Sequence, residues 1–214
     1  MSVLAIAEQI DGQFRKVTFE AVSEGRRLAN QLGVPLAVLV LGEGIEGAAG
    51  ALAQYGADKI LLADHNGYAE YRTDIYTDAV VDVVKREAPS LLVLGASMQG
   101  KDLSARLSAR LDAALATDCI PVDLEDGNVI ATRPMYGGKV MAKVALSGNP
   151  QLIGIRPNAM AVVVAAGAGE IQKLTIEPGE SAYQFIEKKM ETGKIELTEA
   201  DIVVSGGRGM GGSD

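Results

Sequence analysis

Four short runs, VLAIAE (3–8), LAVLVLG (36–42), KILLAD (59–64) and LLVLGA (91–96), are almost continuously apolar. A run without alternation fits a strand covered on both faces, which is the condition of a parallel sheet held between helix layers. The stretches between the runs carry the helical period. Val17, Ala21, Val22, Leu28, Ala29 and Leu32 share one face of a helix over 17–32, Gly33 supplies its stop, and Pro35 bars its continuation. Residues 45–55 read as a shorter Ala-rich helix closed by Gly56. Over 71–88, Ile75, Ala79, Val80, Val83 and Val84 point one way, with Pro89 just past the end. After the fourth run, Leu103, Leu107 and Leu111 repeat at helical spacing while Arg106 and Arg110 share a neighbouring face. This β-α-β-α alternation predicts an α/β fold with a mostly parallel sheet flanked by helices.

From about residue 117 the helical period disappears. NVIATRPMYGGKVMAKVAL (128–146) reads as two strands joined by a turn near Gly137–Gly138, and QLIGIRP (151–157) and IQKLTIE (171–177) read as further strands. SAYQFIEKKM (181–190) is ambiguous, and the alternation of Tyr183, Phe185 and Glu187 favours a strand. These stretches predict a second half rich in antiparallel strands, within one α/β domain of residues 1–190. The chain closes on EADIVVSGGRGMGGSD, where Ile202–Val204 read as a strand and Ser205, Gly206, Gly207, Arg208 and Gly209 as the loop after it.

Aromatic residues make up only 4% of the chain and there is no Trp, so Ala, Val, Leu and Ile must build the core. A net charge of −8 argues against nucleic acid or an anionic membrane surface as a general partner. No run reaches the length of a membrane span, and the opening MSVLAIAEQ lacks the basic start and long apolar core of a secretory signal. The single cysteine, Cys119, cannot form an internal disulfide and fits a reducing compartment, with the cytoplasm as the default.

Few groups announce catalysis. His65, the one histidine, follows the third strand in ADHNG and reads as a surface loop residue, since a lone imidazole cannot build a zinc site. Cys119 reads as a buried, inert thiol. The carboxylates of DLED (123–126) and EPGE (177–180) read as solvated faces. No dinucleotide fingerprint follows the first strand. The glycines of LGEGIEGAAG (41–50) favour a tight turn and helix start over an anion site. In GASMQGKDLSARLSARL (95–111), small residues and Lys101 lie where an open α/β sheet places ligands. Helix capping by Ser97 or Asp102 explains them equally well, and both readings stay open. The tail loop is not a pyrophosphate loop of the S-G-G-x-D-S kind, because Gly209 and Met210 follow Arg208. No catalytic residue and no metal site is expected.

Four segments together resemble one family, the α-subunits of electron-transfer flavoproteins. They are VLAIAEQIDGQFRKVTFEAVSEGRRLA, LLVLGASMQGKDLSARLSARLDAALATDC, TRPMYGGKVMAKV with IRPNAM, and TEADIVVSGGRG, in the family's order and spacing. The resemblance implies a Rossmann-like first domain of the adenine-nucleotide hydrolase type over 1–190. Residues 191–214 would then be the linker and the first strand and loop of an FAD-binding domain whose later segments lie outside this chain. Ser205, Gly206, Gly207 and Arg208 would be the cofactor-binding residues, with Arg208 near the FAD phosphates; the chain alone is expected not to hold FAD. The resemblance further implies a heterodimer with a β-subunit, carrying electrons from dehydrogenases to a quinone oxidoreductase or other acceptor, with no independent catalysis. An isolated chain would be prone to self-association through the face the β-subunit covers. The alternative is a stand-alone adenine-nucleotide-binding module, motivated by the glycines at 41–50 and 95–100.

Overall fold

The computed structural model describes residues 1–125, 128–187, 197, 200 and 202–212. Strand β1 (Val3–Ile6) leads through a small hairpin, β2 (Gln9–Ile10) and β3 (Gln13–Phe14), into helix α1 (Lys16–Leu32). Strand β4 (Leu36–Gly42), the short helix α2 (Glu46–Ala49) with a 3₁₀ turn over Gly50–Gln54, and β5 (Lys59–Asp64) follow. Helix α3 (Thr73–Glu87), β6 (Leu91–Gly95), α4 (Met98–Leu111) and β7 (Ala114–Cys119) complete the regular alternation. Then come β8 (Val122–Glu125), β9 (Asn128–Met135), β10 (Val140–Ala145), β11 (Gln151–Ile155) and β12 (Glu170–Lys173).

Seven strands form one sheet in the order β12-β5-β4-β1-β6-β11-β7, and every pairing in it is parallel. Side chains alternate between its two covered faces, which is why the strands read as unbroken apolar runs. Val3, Ala5, Val38, Val40, Ile60 and Val93 pack on Ala21, Val22, Leu28 and Ala29 of α1. Leu4, Ile6, Leu39, Leu61, Leu92 and Leu94 pack on the opposite face, against Ile75, Val80 and Val83 of α3 and Leu103 and Leu107 of α4. Fully burying each Val, Leu or Ile among them contributes about 1.5–3 kcal/mol.

The helix ends follow the local chemistry. Gly33 takes φ 66° and its N–H reaches Ala29 and Asn30, closing α1 as expected. Ala88 takes the left-handed conformation, φ 46°, at the end of α3, because Pro89 disfavours the right-handed helical conformation for the residue before it.

The second half divides its strands between two sheets. β8, β9 and β10 form a separate antiparallel sheet, with a turn over 136–139 in which Tyr136, Gly137 and Gly138 all take positive φ. β11 and β12 instead join the parallel sheet, β11 inserted between β6 and β7, and β12 at the far edge beside β5.

Two expected strands are absent. Residues 181–187 lie in no ladder, since the Ser181 hydroxyl and the Ala182 N–H both bond to Asp74 in the first turn of α3. The rest of that expected strand, 188–190, lies outside the described residues. Ile202–Val204 also pair with no strand among the described residues, and Ile202 and Val204 are 85% and 95% exposed. A strand exists only through a partner's N–H and C=O groups, so apolar β-branched residues alone do not make one.

Candidate functional site

The strand order fixes where an open α/β sheet can hold a ligand. β4 lies on one side of β1 and β6 on the other. The loop after β1 leads to α1 on one face, and the loop after β6 leads to α4 on the opposite face. The two loops part at the C-terminal ends of β1 and β6, which is the topological switch point and the general ligand crevice of such sheets.

Glu8 fills that crevice. One carboxylate oxygen accepts from Arg15 Nη1 at 2.8 Å, and the other accepts from Ser97 Oγ at 2.5 Å. Arg15 occupies the residue before α1, and Ser97 caps the start of α4, where its Oγ accepts from the Gly100 N–H at 2.9 Å. The Glu8 backbone is held too. Thr18 Oγ1 accepts from its N–H at 2.8 Å and donates to its carbonyl at 2.7 Å. Only 7% of the Glu8 side chain is exposed. A carboxylate this deep persists because a guanidinium and a hydroxyl replace its water.

The same device recurs along this edge. Asp64, at the end of β5, accepts from the N–H of Gly44 at 2.7 Å and of Glu46 at 3.1 Å. The glycine loop at 41–50 therefore presents amides at a helix start, and Asp64 takes two of them. Glu20 of α1 accepts from the Asn158 N–H with both oxygens, at 3.1 and 3.0 Å. Asp118, at the end of β7, takes a two-bond fork from Arg156 after β11. That bonding comes first in holding the Asp118 carboxyl below the usual range, and the charges of Arg156, Lys101 and Arg133 add to it.

Of the residues singled out from sequence, Ser97 is a helix cap, as one of its two readings held. Asp102 accepts from the Tyr71 hydroxyl at 2.7 Å on the surface. His65 is a loop residue whose Nδ1 accepts from the Gly67 N–H at 3.0 Å, with Glu177 at 3.4 Å from Nε2. Cys119 is fully buried, and burial pushes its thiol up to about 11. No cluster of three or more His, Cys, Asp or Glu suited to a metal occurs among the described residues, nor any helix long and apolar enough to cross a membrane. Glu8, Arg15 and Thr18 were not candidates. The available signal was a carboxylate placed directly behind a fully apolar strand.

Ser205, Gly206, Gly207 and Arg208 lie together in an exposed loop that closes in a single 3₁₀ turn over Arg208–Met210. The preceding chain leans on the first turn of α1: Leu197, Ala200 and Val203 line a cleft of about 600 Å³ with Lys16, Glu20 and Met160. A Cβ at Gly207 or Gly209 would meet nothing within 4 Å. At Gly206 a Cβ would fall 2.2 Å from Met210 Sδ, so the open backbone beside the Arg208 guanidinium is that of Gly207 and Gly209, a donor set that fits a pyrophosphate. Every residue of this loop from Ser205 to Gly212 is exposed.

A profile of the electron transfer flavoprotein domain family matches residues 3–178. The protein FixB of Clostridium saccharobutylicum is 37% identical over 221 residues, covering 99% of this chain and 65% of its own length. The electron transfer flavoprotein subunit alpha of Syntrophomonas wolfei is 38% identical over 210 residues, covering 97% and 65%. That of Bacillus subtilis is 36% identical over 213 residues, covering 97% and 64%. The chain thus spans about 65% of the length of the curated relatives it matches.

Proposed function

Because the chain belongs to the electron transfer flavoprotein domain family, we propose that it serves as the N-terminal part of an electron-transfer flavoprotein α-subunit. The observation that carries this reading is the match of nearly the whole chain to relatives bearing that subunit's name. In it, residues 1–190 are the domain that docks to the β-subunit, and 191–214 are the linker and opening segment of an FAD-binding domain. The heterodimer is a cytoplasmic electron carrier between dehydrogenases and a quinone oxidoreductase or other acceptor.

FAD supplies the electron-carrying chemistry when bound, and the protein supplies position and charge, with no catalysis of its own. Arg208 would direct N–H donors at the pyrophosphate, Gly206 and Gly207 would let the backbone approach it, and Ser205 would add a hydroxyl. Met135, Tyr136, Val140 and Met141 stand exposed on β9, β10 and their turn. They give the β-subunit an apolar face, and give an isolated chain a route to self-association.

The test is co-elution. Mixed with its cognate β-subunit, the chain should leave a sizing column as a heterodimer; separate elution well above micromolar concentration sinks the docking role. The rival reading, an adenine-nucleotide-binding module, loses much of its motivation where Asp64 and Glu8 fill the glycine loop and the switch-point crevice. Tight AMP or ATP binding by the chain alone, in calorimetry, would revive it.

A further inference from the structure

We propose that Glu8 is a built-in ligand: its carboxylate occupies a seat for a phosphate-class anion at the switch point between β1 and β6. The donors around it are those that recognise an oxyanion. They are a guanidinium at the start of α1, a hydroxyl at the start of α4, and the first turn of a helix of 14 residues behind that hydroxyl. Anions are stabilised at helix N-termini by unbonded N–H groups and the helix dipole. Here the anion is already present, nine-tenths buried, and covalently part of the chain.

Two further features make this a seat and not only a buried ion pair. The carboxylate bridges loops that leave opposite faces of the sheet, which is where a free ligand of such a sheet bonds to both halves. The α4 side of the seat is also held by backbone. A Cβ at Gly100 would fall 1.8 Å from the Gly95 carbonyl oxygen, so the start of α4 packs directly on the end of β6. Removing the Glu8 side chain should leave the Ser97 hydroxyl and the first turn of α4 without this acceptor.

The experiment compares wild type, Glu8→Ala, Glu8→Gln and the double variant Glu8→Ala/Arg15→Ala, as the full chain. Thermal melting in inorganic phosphate and in chloride at equal ionic strength and pH is paired with phosphate calorimetry. Wild type should show no phosphate-specific stabilisation. Glu8→Ala should bind phosphate at least about tenfold more tightly than wild type, the scale of one charge-assisted hydrogen bond. Glu8→Gln keeps a side chain in the seat and should gain little, and the double variant should lose the gain. If Glu8→Ala does not fold in chloride, recovery of its circular dichroism in phosphate supports the proposal, and failure in both salts overturns it. Equal phosphate response in wild type and Glu8→Ala overturns it as well. So does a gain in Glu8→Gln matching that of Glu8→Ala, which would trace the effect to net charge alone.

Discussion

Asp118 and Arg156 meet as a fork, Nε to Oδ1 at 2.9 Å and Nη2 to Oδ2 at 2.7 Å, at the C-terminal ends of two neighbouring parallel strands. Asp118 sits at φ 65°, where the register between β7 and β11 shifts. The fork thus pins an irregular point of the sheet edge. With the carboxyl held low in the folded state, the pair stabilises at pH values above the unfolded Asp pKa of about 3.9 and is lost as pH falls through the lower folded value. Arg156→Met should bring the Asp118 titration up towards the ordinary range, read from the side-chain carboxyl carbon by NMR. An unmoved titration would remove Arg156 as the main cause. Both side chains are partly exposed, so the stability loss should stay at about 1 kcal/mol or less.

Gly100→Ala should destabilise the fold by about 1–3 kcal/mol in denaturant titration, the range of an overpacked core. The added Cβ would collide with a backbone carbonyl that cannot rotate away. Gly25→Ala in α1 is the control. Its Cβ would meet Leu36 Cδ1, a side-chain terminus, at 3.0 Å, and the gain in helix propensity of up to about 1 kcal/mol offsets part of the crowding. Equal losses at both sites would show that α4 has room to move.

Cys119 should resist alkylation. A thiol pushed from 9.0 to about 11 carries roughly a hundredfold less thiolate near pH 8, and only the thiolate reacts. Iodoacetamide labelling should be slow in buffer and fast in denaturant, and should accelerate as pH climbs towards 11. Native labelling at the denatured rate would contradict the burial.

Asp64→Ala should leave the sheet intact and loosen one loop. The N–H groups of Gly44 and Glu46 would lose their acceptor, at a cost of about 1 kcal/mol. Amide exchange at those two positions should quicken while Leu39 and Leu61 in the sheet stay protected. Uniform quickening would mean that Asp64 supports the whole domain.

Arg208→Ala, introduced into a complete α-subunit paired with its β-subunit, should weaken FAD retention by about tenfold without changing co-elution. Visible absorbance after desalting reads the flavin, and a sizing column reads the dimer. Unchanged retention would strike Arg208 from the cofactor contacts.

Much of the fold was legible because it rests on local rules. The four apolar runs, the helix faces and the stops at Gly33 and Pro89 follow from burial and backbone chemistry within a few residues. The strand assignments at 181–187 and 202–204 failed for the opposite reason. Alternation can mark a strand-compatible segment, but Asp74, far away in sequence, claims the backbone of Ala182. The site was the least legible part. The residues that fill it are separated in sequence: the crossing of the chain at β1 sets Glu8 against Ser97, and the pairing of β4 with β5 sets Asp64 against Gly44. Composition could say that carboxylates were plentiful, not that several of them were turned inward.

The last strand of the parallel sheet has a consequence for how the chain is made. Glu170 of β12 pairs with Lys59 of β5, and Leu174 then reaches back to Leu62. Until a ribosome has synthesised residues beyond 174, β5 is an open parallel edge of Ile60, Leu61 and Leu62 with no neighbour on that side. Unpaired edges of this kind recruit other chains. The nascent polypeptide therefore carries an unpaired β5 edge from the emergence of β5 to that of β12, and a product ending before residue 170 would keep that edge open.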